Sequence, residues 1–195
     1  MLAVTTTLKE MSLDTAAQHV SAGAALIDLR EIGDYLDAHI PGSICLQYEF
    51  GPGFPVRARD CIPLEVPLVL LARADVDMPF AAASLRGKGF AVLGRVEDGI
   101  NSWVAANGNP ASTETITGGA APGGTLLNVG DPGAEDVEGP TVISVERLWT
   151  KTEDLPTGAV VVIAGKGVRA ALAVGMLERA GRTDILFWTP GGPRP

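Results

Sequence analysis

The chain has 195 residues, a net charge of −8, and 46% hydrophobic against 19% charged residues; it can bury a core and is not a disordered chain. A sequence pI near 4.7 argues against nucleic acid as a partner, because phosphate binding needs a basic face. Apolar runs such as residues 160–164 fall far short of the ~18–20 residues that span a bilayer, so no membrane partner is expected.

In chain order, the start MLAVTTTLKEM has no basic segment followed by an apolar stretch, and no signal peptide is expected. Residues 25–30, Ala-Leu-Ile-Asp-Leu-Arg, read as a strand, and residues 66–72 as a second. A helix is expected over about 79–88, with Pro79 in its first turn and Gly89 as its cap. Residues 107–124 are rich in Gly, Pro, Ser and Thr with Glu114 as the only charge, and read as a linker. Residues 125–130 and 159–164 read as two further strands. A helix over 168–180 follows, with Ala171, Leu172, Val174, Gly175, Leu177 and Glu178 read as its apolar face and with Gly181 at its C-cap.

The order of elements repeats. Asp28 and Asn128 are 100 positions apart. An offset of 92 carries Ala72 to Ala164, Leu85 to Leu177, Gly89 to Gly181 and Gly99 to Gly191. Apolar runs alternating with helices indicate an α/β fold with mostly parallel central sheets flanked by helices. The expected division is 1–108 for a first unit, 109–124 for a Gly/Ala/Pro/Thr linker, and 125–195 for a shortened second unit. So small a second unit is expected to pack against the first. Neither the two cysteines, Cys45 and Cys61, nor the two histidines, His19 and His39, have C-x-x-C or H-x-x-x-H spacing. No metal site and no cofactor are expected, and a reducing, cytoplasmic setting is the plain reading.

The first half carries Ala25-Leu26-Ile27-Asp28-Leu29-Arg30-Glu31, then Asp34-Tyr35, then His39-Ile40-Pro41-Gly42-Ser43. On these residues, with Ala38 where the family has Gly, the resemblance is to a rhodanese domain. It continues through Gly87-Lys88-Gly89-Phe90 and Asp98-Gly99-Ile100-Asn101-Ser102-Trp103 to Gly108-Asn109-Pro110. In the second half it covers Val160 to Gly192 but lacks the His-Ile-Pro-Gly turn. The pair is similar to the degenerate tandem modules of metallo-β-lactamase/rhodanese fusion proteins, without the metal-binding portion.

The resemblance implies a loop at the tip of each central strand in which a cysteine thiolate carries sulfane sulfur among inward-pointing amides. In the first unit that loop reads Ala72-Arg73-Ala74-Asp75-Val76-Asp77, and in the second Ala164-Gly165-Lys166-Gly167-Val168-Arg169. Ala72 and Ala164 stand where the nucleophile belongs, and Asp77 stands at the first loop's closing arginine position. The implied function is a rhodanese-like protein without sulfurtransferase catalysis, a binding or regulatory module linked to sulfur metabolism, with a protein partner or a small anion as ligand.

Two alternatives stand beside it. One is a sulfurtransferase using Cys61, which Arg57 and Arg59 would favour as thiolate, or Cys45, otherwise a small buried residue. The other is an anion-binding module through residues 164–169, where Lys166 and Arg169 flank free amides at a helix start. Asp28 and Arg30 are read as part of an internal ion-pair cluster with Glu31 or Asp34, and His39 as a residue that orders its own turn.

Overall fold

The computed structural model describes residues 7–97 and 99–191. Asp98 and Gly192, both quoted in the motifs above, and residues 1–6 of the N-terminal stretch lie outside the described residues.

Strand β1 (Glu10–Met11) leads into α1 (Leu13–Ser21), then β2 (Ala25–Asp28), α2 (Ile32–Asp37), β3 (Ile44–Cys45) and α3 (Gly53–Cys61). β4 (Leu68–Leu71), α4 (Met78–Arg86), β5 (Val92–Val96) and α5 (Gly99–Asn107) complete the first unit. The second has β6 (Glu114–Thr117), β7 (Thr125–Asn128), β8 (Thr141–Val142), α6 (Val145–Leu148), a 3-10 turn (Thr152–Asp154), β9 (Val160–Ile163), α7 (Val168–Arg179) and β10 (Ile185–Thr189). The sheets run β1-β5-β4-β2-β3 and β6-β10-β9-β7-β8, with parallel pairing in each ladder. The two orders superpose strand for strand, so the repeat seen as spacing is a repeat of topology.

The repeat extends to single hydrogen bonds. Asp28 Oδ1 accepts the Arg30 amide at 2.9 Å, and Asn128 Oδ1 accepts the Gly130 amide at 2.8 Å. Each closes a turn between a side chain and the backbone two residues on, which short Asp and Asn side chains favour.

One expectation is corrected. Residues 109–124 are not a bare linker, because residues 114–117 form β6 and pair with β10 from Leu186↔Glu114 to Thr189↔Thr117. Just before it, His39 and Ala111 form a two-residue bridge, and the Thr113 amide donates to Leu36 O at 2.8 Å. The segment straps the first unit and supplies an edge strand to the second. Its composition hid this because an edge strand with mostly exposed side chains needs no apolar run.

The predicted helices form, as α4 and α7. Pro79 lies in the first turn of α4, and Asp77 caps that helix by accepting the Phe80 amide at 3.0 Å. Gly181 follows the last turn of α7 at φ +87°, where a side chain would be strained.

Side chains alternate across the first sheet. Leu26, Val69, Leu71 and Val96 face a small core with Ala16 of α1, packed by Ile100 and Trp103 of α5. Ile27, Leu68 and Leu70 face the main core, which continues without a break into Leu127, Val160, Val162 and α7. Residues 170–177 of α7 are all buried. A helix apolar on every side has packing partners on every side. One side of α7 serves β9 and β10, and the other docks on β3 and α2.

That docking requires Gly175. A Cβ there would lie 2.2 Å from Ser43 O and 2.9 Å from Tyr35 Oη. The second unit thus packs on the first through one shared core, as its size leads one to expect.

Candidate functional site

Both loops sit at the C-terminal ends of central strands, where a parallel α/β sheet places its ligands. In the first unit Ala72 follows β4, its amide donating to Val96 O. Arg73 then turns back on the loop. It grips Asp75 with Nε to Oδ1 at 2.6 Å and Nη2 to Oδ2 at 2.8 Å, and donates through Nη1 to Leu29 O at 2.9 Å. This contact holds the Asp75 carboxyl below the usual carboxylate range and Arg73 above its own. Asp75 is spent on Arg73 and Asp77 on the helix cap.

The second loop keeps the anion-holding geometry and fills it. Asp131, 1% exposed, places its carboxylate among the loop amides. Oδ2 accepts from Gly165 N at 2.7 Å and Gly167 N at 2.6 Å, and Oδ1 from Arg169 N at 2.8 Å. Gly167, at φ +91°, turns its amide inward before α7 begins. Pro132 follows Asp131, and its carbonyl accepts the Lys166 amide at 2.9 Å. A Cβ on Gly165 would lie 2.0 Å from that oxygen, so only glycine lets the two loops meet.

The expectation of an anion site at residues 164–169 is therefore corrected: the amides thought free already donate to the chain's own carboxylate. Ala164 is fully buried at the tip of β9. Asp131 was not among the residues singled out from the sequence. The repeat held the signal, since the offset of 100 that joins Asp28 to Asn128 also joins Glu31 to Asp131. Glu31 faces its own loop too, with Oε1 3.4 Å from Arg73 Nη1.

Neither cysteine enters an amide cradle. Cys45 ends β3, 2% exposed, and burial pushes its thiol up to about 12. Cys61 ends α3, 4% exposed. Burial, with Glu146 adding to it, pushes its thiol up to about 12 against the smaller opposing pull of Arg169. The expectation that Arg57 and Arg59 favour a Cys61 thiolate is corrected accordingly, since desolvation outweighs the cations.

Cys61 does line a cleft of about 280 Å³ between the units, with Val56, Arg57, Pro132, Lys166 and Arg169 among its walls. Two of those cations are paired, Arg57 with Glu49 at 3.3 Å and Arg169 with Glu146 at 2.6 Å.

Asp28 and Arg30 form an ion pair with each other, Arg30 Nη2 standing 2.6 Å from Asp28 Oδ2. Asp34 enters through its backbone carbonyl rather than its carboxylate, and Ala38 O accepts Arg30 Nη2 at 2.6 Å. The pair staples the end of β2 to the start of the His-Ile-Pro-Gly turn.

A rhodanese-like domain model matches residues 9–106. The chain belongs to the rhodanese-like domain family.

Solved structures with a similar fold include the 3-mercaptopyruvate sulfotransferase SseA from Escherichia coli. It is 14% identical, with 94% of this chain and 98% of that one covered and a TM-score of 0.43. A thiosulfate sulfurtransferase from Pseudomonas aeruginosa is also 14% identical, with 96% and 46% covered and a TM-score of 0.44. EanB in complex with hercynine is 14% identical, with 93% and 58% covered and a TM-score of 0.43. The rhodanese-like chain thus spans about half the length of the latter two. Among curated proteins none matches it.

Proposed function

We propose that this rhodanese-like protein is a non-catalytic member of its family, a binding or regulatory module linked to sulfur metabolism. The observation that carries the reading is the Asp131 carboxylate bonded to all three inward amides of the second loop. A persulfide carrier needs a sulfur at the strand tip and an electropositive nest around it. Here the strand tips carry Ala72 and Ala164, and the retained nest is neutralised from within. The two thiols lie elsewhere and are held protonated by burial.

The test is a cyanide-dependent sulfurtransferase assay with thiosulfate on the purified chain. Turnover at the level of a protein-free control is expected. Turnover well above it that disappears in Cys61→Ser or Cys45→Ser overturns the reading in favour of a displaced nucleophile.

A further inference from the structure

The two units meet at a contact whose hydrogen bonding does not close without an extra proton. His39 is fully buried and stacks on Tyr35, with ring centroids 4.3 Å apart. Its Nδ1 lies 2.7 Å from Tyr35 O, and its Nε2 lies 2.9 Å from Glu178 Oε1. A backbone carbonyl only accepts, so Nδ1 must donate. A neutral imidazole then offers a bare lone pair at Nε2, and that lone pair faces a carboxylate oxygen. The other oxygen, Oε2, accepts the Gly42 amide at 2.9 Å. The contact closes as a hydrogen bond only when one proton lies between Nε2 and Oε1, whether it is drawn on the imidazole or on the carboxyl.

We infer that the His39–Glu178 contact is a proton-dependent clamp between the two rhodanese-like units: protonated it holds the end of α7 to the His-Ile-Pro-Gly turn, and deprotonated it sets a lone pair against a carboxylate and loosens that seam. The clamp belongs to this chain's own pairing of units, because Glu178 comes from the second unit and His39 from the first. Glu178 borders a groove of about 660 Å³, with Pro41, Gly42, Arg179 and Arg182 on its walls. The groove gives the proton a path to solvent.

The other ionisable groups packed around the contact are already committed. From α2, Tyr35 donates its hydroxyl to Ser43 O, and burial raises it well above its ordinary range. From β3, the Cys45 thiol is held protonated by burial. From β2, Asp28 is paired with Arg30, which also reaches Ala38 O. On the α7 side, Arg179 donates to Gly23 O and Ala24 O, and Arg182 to Pro156 O and Leu155 O. None of these groups is placed to donate the missing proton at Nε2.

The far end of α7 carries the second loop, and Val168 and Arg169 there line the cleft against α3.

The test compares the wild-type chain with Glu178→Gln. Glutamine donates from its amide nitrogen to a neutral Nε2 and still accepts from Gly42, so it needs no extra proton. Thermal midpoints are measured from mildly acidic to alkaline pH. The wild type is expected to fall relative to the variant as pH rises, so that the two profiles cross. Parallel profiles overturn the inference.

Side-chain ¹⁵N spectra of His39 in the wild-type chain, assigned against His19→Gln, serve if the variant does not fold. Expected is a proton shared at Nε2 while the seam is intact, with the seam resonances changing as it is lost. A neutral ring with bare Nε2 in an intact seam overturns the inference.

Discussion

Asp131 and Gly167 lie 36 positions apart in sequence, yet the carboxylate of one accepts the amide of the other at 2.6 Å. The same carboxylate takes two further amides of that loop, so Asp131→Ala orphans three donors at once. The Gly167 amide is buried and the other two are part-buried, and a buried unsatisfied donor costs roughly 1–3 kcal/mol. A loss of about 1–3 kcal/mol in urea unfolding is expected, partly recovered by added sulfate or formate, which can enter the vacated nest. A variant as stable as wild type, or one with no anion response, counts against the plugged-cradle geometry.

Restoring the missing sulfur alone is not expected to restore chemistry. Ala164→Cys puts a thiol at the tip of β9, but the Asp131 carboxylate still holds the loop's amides and disfavours a nearby thiolate. The single variant should stay at background in the thiosulfate–cyanide assay. Ala164→Cys combined with Asp131→Ala should exceed it, provided the double variant folds as judged by circular dichroism.

Gly175→Ala probes the shared core. Its Cβ would press on the Ser43 carbonyl 2.2 Å away, and backbone cannot step aside as a flexible side chain does. Overpacking of this kind typically costs ~1–3 kcal/mol. The unfolding midpoint should drop while the transition stays single, because both units share one continuous core. Separate transitions for the two units would contradict that continuity.

The buried thiols set an alkaline limit. Both are raised from about 9 to about 12 by the fold. Below the unfolded value neither state loses the proton and the effect on stability is flat. Between about 9 and about 12 the unfolded chain ionises while the folded one does not, so stability falls as pH rises. The fall should be smaller in Cys45→Ala/Cys61→Ala when pH-dependent unfolding is compared. At pH 8 a thiol-specific disulfide reagent should label the native chain far more slowly than the urea-unfolded chain.

Much of the fold was legible because a parallel sheet buried on both faces leaves apolar runs such as residues 160–163, and because α4 and α7 carry turn-forming glycines just after them. The repeat offsets of 100 and 92 carried the shared succession of strands and helix along the chain, while the order of the strands in each sheet came from the structure. The strand at residues 114–117 was not legible: Glu-Thr-Ile-Thr lies mostly exposed at an edge, and its pairing is set by β10 some seventy positions later. The candidate site was half legible. Ala72 and Ala164 could be placed at the tips of two strands, where the structure has them after β4 and β9, whereas Asp131 looked like an ordinary residue in an Asp-Pro-Gly turn.

The amino-acid order by itself determined the family, the repeated succession of strand and helix, and the absence of sulfur at residues 72 and 164, since these follow from local pattern and residue identity. Tertiary structure alone decided what occupies the second loop, where the two thiols lie and how His39 meets Glu178 139 positions away. These depend on groups distant in sequence reaching hydrogen-bonding range, and hydrogen bonds are directional and short, so hydrophobic periodicity carries no trace of them.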